Sequence, residues 1–91
     1  MPSIELNFKD YPLIPEQCQS ALTRYINYGI TPGQFLISVL SNDLFKAYEN
    51  GDDDHINALP QLVKFIYNKL PSNSWGSLDK IHNFTSSGFF H

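Results

Sequence analysis

A run of four residues with metal-ligating side chains, Asp52 to His55, is the first place where this sequence suggests chemistry. A calcium loop of the EF-hand type needs acidic ligands at alternating positions and a bidentate glutamate at the twelfth, but these aspartates are adjacent and no such glutamate follows. A zinc site needs further ligands at coordinating spacing, and His82 and His91 are remote. We therefore expect a solvated acidic turn and no metal site.

Cys18, the single cysteine, is the one candidate nucleophile. A helix N-terminus lowers a thiol pKa, but catalysis also needs a base beside the nucleophile. Cys18 shares a helical face with Leu22 and Tyr25, which is typical of a buried structural cysteine. The carboxylates are scattered, and Gly33 is not part of a glycine-rich phosphate loop. We expect no catalytic residue, no cofactor and no enzyme.

Trp75, the only tryptophan, lies in the predicted loop "PSNSWGS", residues 71 to 77. Large aromatic side chains rarely stay exposed, so Trp75 is predicted to fill a gap in the core; the alternative is a binding hot spot. In the second case its neighbours Asn73, Ser74 and Gly76 are candidate contact residues. The polar break at Asn42 and Asp43 is a further candidate.

Two predicted helix N-termini, near Thr31 and Ser77, offer free backbone N–H groups for a small anion. A nucleotide held by such groups around Thr31, Gly33, Ser77 and Trp75 is an alternative hypothesis.

Length and charge exclude several classes of protein. The chain has 91 residues, enough for a single domain, and 42% of them are hydrophobic, which disfavours disorder. The net charge is −3 and the six Lys and Arg residues are dispersed, so the basic stripe of a nucleic-acid binder is absent. There is no apolar run of about 20 residues, as a membrane span needs, and no signal-peptide pattern at the N-terminus. We expect a soluble protein of a reducing, intracellular compartment.

The elements that position these residues are predicted to form an all-α fold, a small bundle of four to five short helices with an extended N-terminal arm. The predicted parts are an arm over residues 1–14, a helical core over 15–84 and a flexible tail over 85–91. The stretch "IELNF", residues 4–8, alternates like a strand but has no partner strand, so we expect it to lie on the helices or on another subunit.

Local signals predict where the helices begin and end. The first helix covers residues 15–28 and ends at Gly29 in the left-handed conformation. Thr31 to Gln34 reads as a capping box with Pro32 at the first helical position. The second helix, "QFLISVL", is apolar on nearly all sides, which is typical of the central helix of a bundle; the alternative is a helix that seals a dimer.

The second half of the chain is predicted to hold three further helical segments. Asn42 caps "LFKAYE" after a break at residues 41–43, and Gly51 ends that segment. Asn57 caps the next helix and places Pro60 at its third position. Ser77 caps the last helix, in which Leu78, Ile81 and Phe84 share a face. The apolar stripe of the helix after Asn57 consists of Leu59, Leu62, Val63, Ile66, Tyr67 and Leu70.

Three blocks of the sequence resemble a family of short proteins encoded by tailed bacteriophages and prophages. They are "G-I-x-P-G-x-F-L-x-x-V-L-x-N-D-L" at residues 29–44, "F-[IL]-Y-N" at 65–68 and "P-x-x-x-W-G-S" at 71–77. The resemblance covers about residues 14–77 and leaves out the "IELNF" arm and the "GFFH" tail. It implies a non-structural protein of the host cytoplasm that acts in host takeover or against host immunity.

Three function hypotheses follow from the resemblance and the residues. The first is a phage accessory protein that binds and inhibits a host protein. The second is an oligomer that sequesters a small signalling nucleotide of host immunity. The third is a small structural or assembly homodimer held by the arm and the tail.

Overall fold

The computed structural model describes residues 6–87, which form a non-helical N-terminal segment followed by six α-helices joined by short turns. These described residues contain no β-strand, which confirms the predicted all-α class. A 3-10 turn, Ser72–Ser74, precedes the last helix. The helices are α1 (Glu16–Tyr28), α2 (Gln34–Leu40), α3 (Leu44–Asn50), α4 (Asp53–Asn57), α5 (Leu59–Lys69) and α6 (Leu78–Ser87).

Helix α1 follows its prediction closely. Its buried face includes Cys18, Leu22, Tyr25 and Ile26. Gly29 ends the helix with a φ of 67° and donates its N–H to the Tyr25 carbonyl at 2.9 Å. A left-handed residue is least strained as glycine, so the sequence marks this helix end unambiguously.

Helix α2 lies at the centre of the bundle and packs against α3, α5 and α6. The predicted capping box is wrong, because the helix begins at Gln34 with Gly33 as its N-cap and no side chain caps it. Pro32 is buried and Thr31 is exposed, so both residues lie outside the first helical turn. Packing of the Pro32 ring into the protein has overridden the local capping signal.

The predicted break between α2 and α3 is present at residues 41–43. Asn42 does not cap α3, contrary to the prediction: it takes a left-handed conformation with a φ of 64°. The carboxylate of Asp43 caps the helix instead and accepts the Lys46 N–H at 3.2 Å. Asparagine tolerates the left-handed region better than most residues, so Asn42 turns the chain and leaves the cap to its neighbour.

The acidic run, predicted to be a turn, is a short helix. Asp52 caps α4, and one of its carboxylate oxygens accepts the backbone N–H of His55 at 2.9 Å. Asp53 and Asp54 follow in the first turn, where the partial positive charge of a helix N-terminus stabilises carboxylates. The three aspartates remain exposed, as predicted.

Helix α5 differs from its prediction at its start and on its buried face. Ala58, not Asn57, is the N-cap, and Pro60 takes the second helical position. Val63 and Tyr67, both assigned to the buried stripe, are exposed.

Phe65 is fully buried instead, because the N-terminal segment covers it. The Phe8 ring stacks on it with centroids 4.3 Å apart, and the Tyr11 ring meets it edge-on at 5.2 Å. The described part of the predicted arm therefore packs on the helices; residues 1–5 lie outside the described residues.

Helix α6 closes the bundle with Ile81 and Phe84 buried and Leu78 exposed. Ser77 caps it as predicted, since its hydroxyl accepts the Lys80 N–H at 3.2 Å. The helix continues to Ser87, three residues beyond the predicted helical core. The "GFFH" segment lies outside the described residues.

Candidate functional site

A partly enclosed apolar groove lies beside Trp75. It has a volume of about 190 Å³ and lies between the end of α2, the exposed side of α5 and the loop after the 3-10 turn. We call it the Trp75 groove. Its lining residues are Val39, Leu40, Asn42, Val63, Ile66, Tyr67, Trp75 and Gly76.

Trp75 is fixed in this position by hydrogen bonds on both sides of it in the chain. The buried Tyr25 hydroxyl donates to the Ser74 carbonyl at 2.7 Å, and the Gly76 N–H donates to the Leu40 carbonyl at 2.6 Å. The second bond also satisfies a carbonyl at the C-terminal end of α2. Gly76 has a φ of 116°, which favours glycine at this bend. The loop is therefore attached to both α1 and α2.

The position of the Trp75 ring is compatible with both predictions that the sequence left open. It is half-buried against the core, and its Nε1–H points to the Leu70 carbonyl at 3.4 Å. The ring also lines the groove beside Tyr67, with centroids 5.8 Å apart. A tryptophan with one anchored edge and one accessible side is pre-organised for contact, because little side-chain entropy remains to be lost.

A smaller hollow of about 40 Å³ continues the groove towards α3. Val39, Asn42 and Val63 line both depressions. Asp43 lines only the smaller one and is the single charged residue in either lining. The combined surface carries no cation among its lining residues.

Five large apolar side chains stand exposed around these depressions or on the helices that flank them. Phe45 is the most exposed of them, at 89%. Helix α3 buries only Ala47, so its larger side chains face away from the core. We call this set the apolar face; it consists of Leu44, Phe45 and Tyr48 of α3 and Val63 and Tyr67 of α5.

The sequence reasoning did not identify this face, although a signal for it was present. Apolar residues occur at seven of the twelve positions from Leu59 to Leu70, more than one helical stripe accommodates. Some of them had to be exposed, but the pattern alone does not say which.

The structure brings together four of the predicted binding residues and separates the others. Asn42, Asp43, Trp75 and Gly76 line the two adjoining depressions.

Thr31 and Gly33 lie at the N-terminal end of α2, whereas Gly76 is bonded to its C-terminal end. Seven residues of helix place these ends about 10 Å apart. Asn73 is exposed beside the groove but does not line it, Ser74 is buried and bonded to the Pro71 carbonyl, and Ser77 caps α6.

The residues with reactive side chains lie elsewhere and are engaged in structural contacts. Cys18 is buried, and burial, with a smaller contribution from the Asp52 carboxylate, raises the pKa of its thiol to about 11. The His55 ring contacts the Phe35 ring and pairs through Nδ1 with Asp52 at 2.6 Å. This bond, together with the backbone bond from His55, lowers the pKa of Asp52. Within residues 6–87, no cluster of His, Cys, Asp and Glu is arranged to hold a metal ion.

Comparison with known proteins places this chain in no family. No protein-family model matches it, and neither curated proteins nor solved structures give a significant match. None of the helices in residues 6–87 is long and apolar enough to cross a membrane.

Proposed function

We propose that this chain is a non-enzymatic phage accessory protein that binds and inhibits a host protein in the host cytoplasm. The observation that supports it is the apolar face beside the Trp75 groove. Exposed apolar side chains that flank an apolar groove are typical of a surface that binds another molecule. The phage context rests on the sequence resemblance alone.

The chemistry of the groove suits a protein side chain better than a nucleotide. Its volume of about 190 Å³ is below the range of typical small-molecule sites, which starts near 300 Å³. Phosphate recognition uses Arg, Lys or converging backbone N–H groups, and the lining residues include no cation. An exposed Tyr beside a half-buried Trp is, in contrast, a common composition for a protein-binding hot spot.

The test is capture of a partner from bacterial lysate, followed by affinity measurement with the purified partner. Tyr67→Ser removes an exposed side chain of the face and leaves the core intact, so we expect at least a ~30-fold loss of affinity. Tyr28→Ser is the matched control, because Tyr28 is a helical tyrosine with the same exposure of 70% that lies outside the apolar face.

Equal loss, or no loss, in the two variants would contradict the proposal. Native mass spectrometry of the recaptured protein adds an independent readout. A bound species of a few hundred daltons instead of a protein would favour the nucleotide hypothesis.

A further inference from the structure

Asp43 places a negative charge beside the Trp75 groove with no cation next to it. Its half-buried carboxylate lines the hollow that adjoins the groove, and no other residue of either lining is charged. One of its oxygens accepts the Lys46 N–H at 3.2 Å as the cap of α3. Among residues 6–87, no ion pair within 4.0 Å involves this carboxylate.

The two lysines on the helices that border the hollow lie on other sides of those helices. Leu44 of α3 and Leu59 of α5 both line the hollow. At about 100° of rotation per helical residue, Lys46 lies about 160° round α3 from Leu44, and Lys64 lies about 140° round α5 from Leu59. Neither lysine lines the groove or the hollow. The charge of Asp43 is therefore available to a partner.

The end of α2 adds to this negative charge. Val39 and Leu40, its last two residues, line the groove, and its last turn contains no basic residue. The C-terminal end of a helix carries a partial negative charge. The apolar surface of the groove is therefore bordered by negative potential.

We propose that the partner segment bound at this surface carries two neighbouring side chains, an apolar one that packs in the Trp75 groove and a Lys or Arg that faces Asp43. This inference rests on the proposed function and specifies the kind of partner that the surface selects. Opposite charges across an interface contribute chiefly to selectivity and to the rate of association. A segment with an acidic residue in place of the Lys or Arg is rejected, because its charge repels the Asp43 carboxylate.

Two small probes with the same ring and linker test this charge preference on the purified full chain. Phenethylamine is a cation at neutral pH, and hydrocinnamate is an anion. An apolar cavity of about 150 Å³ accommodates benzene in another protein, so their ring suits a groove of about 190 Å³. Trp75 is the only tryptophan, so its Nε1–H gives a single indole resonance that reports binding in an NMR titration.

We expect the cation to bind at least about 5-fold more tightly than the anion at low salt, and the difference to shrink as salt screens the charges. Asp43→Asn should abolish this preference and keep α3 capped, because asparagine caps a helix about as well as aspartate. Asp52→Asn is the matched control. Asp52 is also an N-cap aspartate but lines neither depression, so this variant should retain the preference.

Equal binding of the two probes or tighter binding of the anion would overturn the inference. A preference that survives Asp43→Asn, or that Asp52→Asn abolishes as well, would also overturn it. So would a Trp75 resonance that neither probe shifts, the result expected if another segment of the chain occupies the groove. Capture of a host protein is measured separately through Tyr67→Ser, so the proposed function can stand where this charge preference fails.

Discussion

Tyr25 shows how a single buried hydroxyl positions the candidate site. Its side chain leaves α1 and donates to the Ser74 carbonyl, immediately before Trp75. Tyr25→Phe keeps the ring and leaves that carbonyl without its donor in a buried setting. We expect the free energy of unfolding to fall by about 1–3 kcal/mol, measured by urea denaturation.

Tyr28→Phe provides the control for this change, because Tyr28 lies one turn further along α1 and is exposed. It should leave the unfolding midpoint unchanged. A Tyr25→Phe variant as stable as the Tyr28→Phe variant would show that the hydroxyl does not hold the Trp75 loop.

Because of Cys18, the free energy of unfolding depends on pH in the alkaline range. Burial raises the pKa of its thiol from 9.0 to about 11, so the folded protein keeps a proton that the unfolded chain has lost between these values. The stabilisation is complete below pH 9 and is lost as the pH rises towards 11. Burial also raises the pKa of the Tyr25 hydroxyl, which acts in the same direction.

We therefore expect the free energy of unfolding to fall between pH ~8 and ~10.5, and to fall less in Cys18→Ala. The comparison uses the pH-dependent difference within each protein, because the cavity in the variant lowers its stability at both pH values. Identical pH-dependent losses in the two proteins would contradict a buried, protonated thiol.

At the scale of elements, Gly51 allows the turn between α3 and α4 to approach α2 closely, because it has no side chain. A Cβ atom at this position would lie 2.7 Å from the ring of the buried Phe35. We expect Gly51→Ala to force the ring or the chain to move and to cost about 1–3 kcal/mol, measured by urea denaturation.

Gly33→Ala is the matched control, since nothing lies within 4 Å of a Cβ atom there. The same substitution meets no steric clash there and should cost less, about 0.5–1 kcal/mol, because alanine is a poorer N-cap than glycine. Equal effects at the two glycines would mean that the loss reflects glycine removal in general and not contact with Phe35.

Element boundaries were predictable where the signal is local. Gly29, Gly51 and the Leu70–Pro71 pair each act on their own turn, and each ends a helix as expected. Asp52 gives a comparable local signal for the start of α4, because it is an N-cap residue followed by two more acidic residues. The capping box at Thr31 failed because burial of Pro32 competes with it, and a single sequence does not reveal that burial.

The candidate site was predictable only in part, for the same reason. Trp75 was a candidate as the only tryptophan and Asn42 as part of the polar break after the second helix. Whether Thr31 and Gly33 lie near them depends on which end of α2 the Trp75 loop contacts. Which residues of α5 are buried likewise depends on residues distant in the sequence, because the Phe8 and Tyr11 rings pack on Phe65 and bury it. Val63 and Tyr67 are thereby left on the surface.

At the scale of the whole molecule, the N-terminal segment belongs to the core. Phe8 stacks on Phe65, Ile14 is almost fully buried, and the Leu13 N–H donates to the Gln61 side chain at 2.8 Å. A small domain has few alternative sources of apolar burial. The segment therefore contributes to the stability of the bundle and covers one side of α5, so that the side with Val63 and Tyr67 stays exposed.

Phe8→Ala tests this role. Loss of the stacked ring exposes the fully buried Phe65, and we expect a cost of about 2 kcal/mol, below that of a fully buried Phe→Ala because Phe8 is half-buried. In a domain of this size, that cost lowers the Tm by about 10 °C. Leu13→Ala, at an exposed neighbour whose backbone bond survives, should leave the Tm nearly unchanged. Equal Tm values for the two variants would show that residues 6–14 lie on the bundle without completing its core.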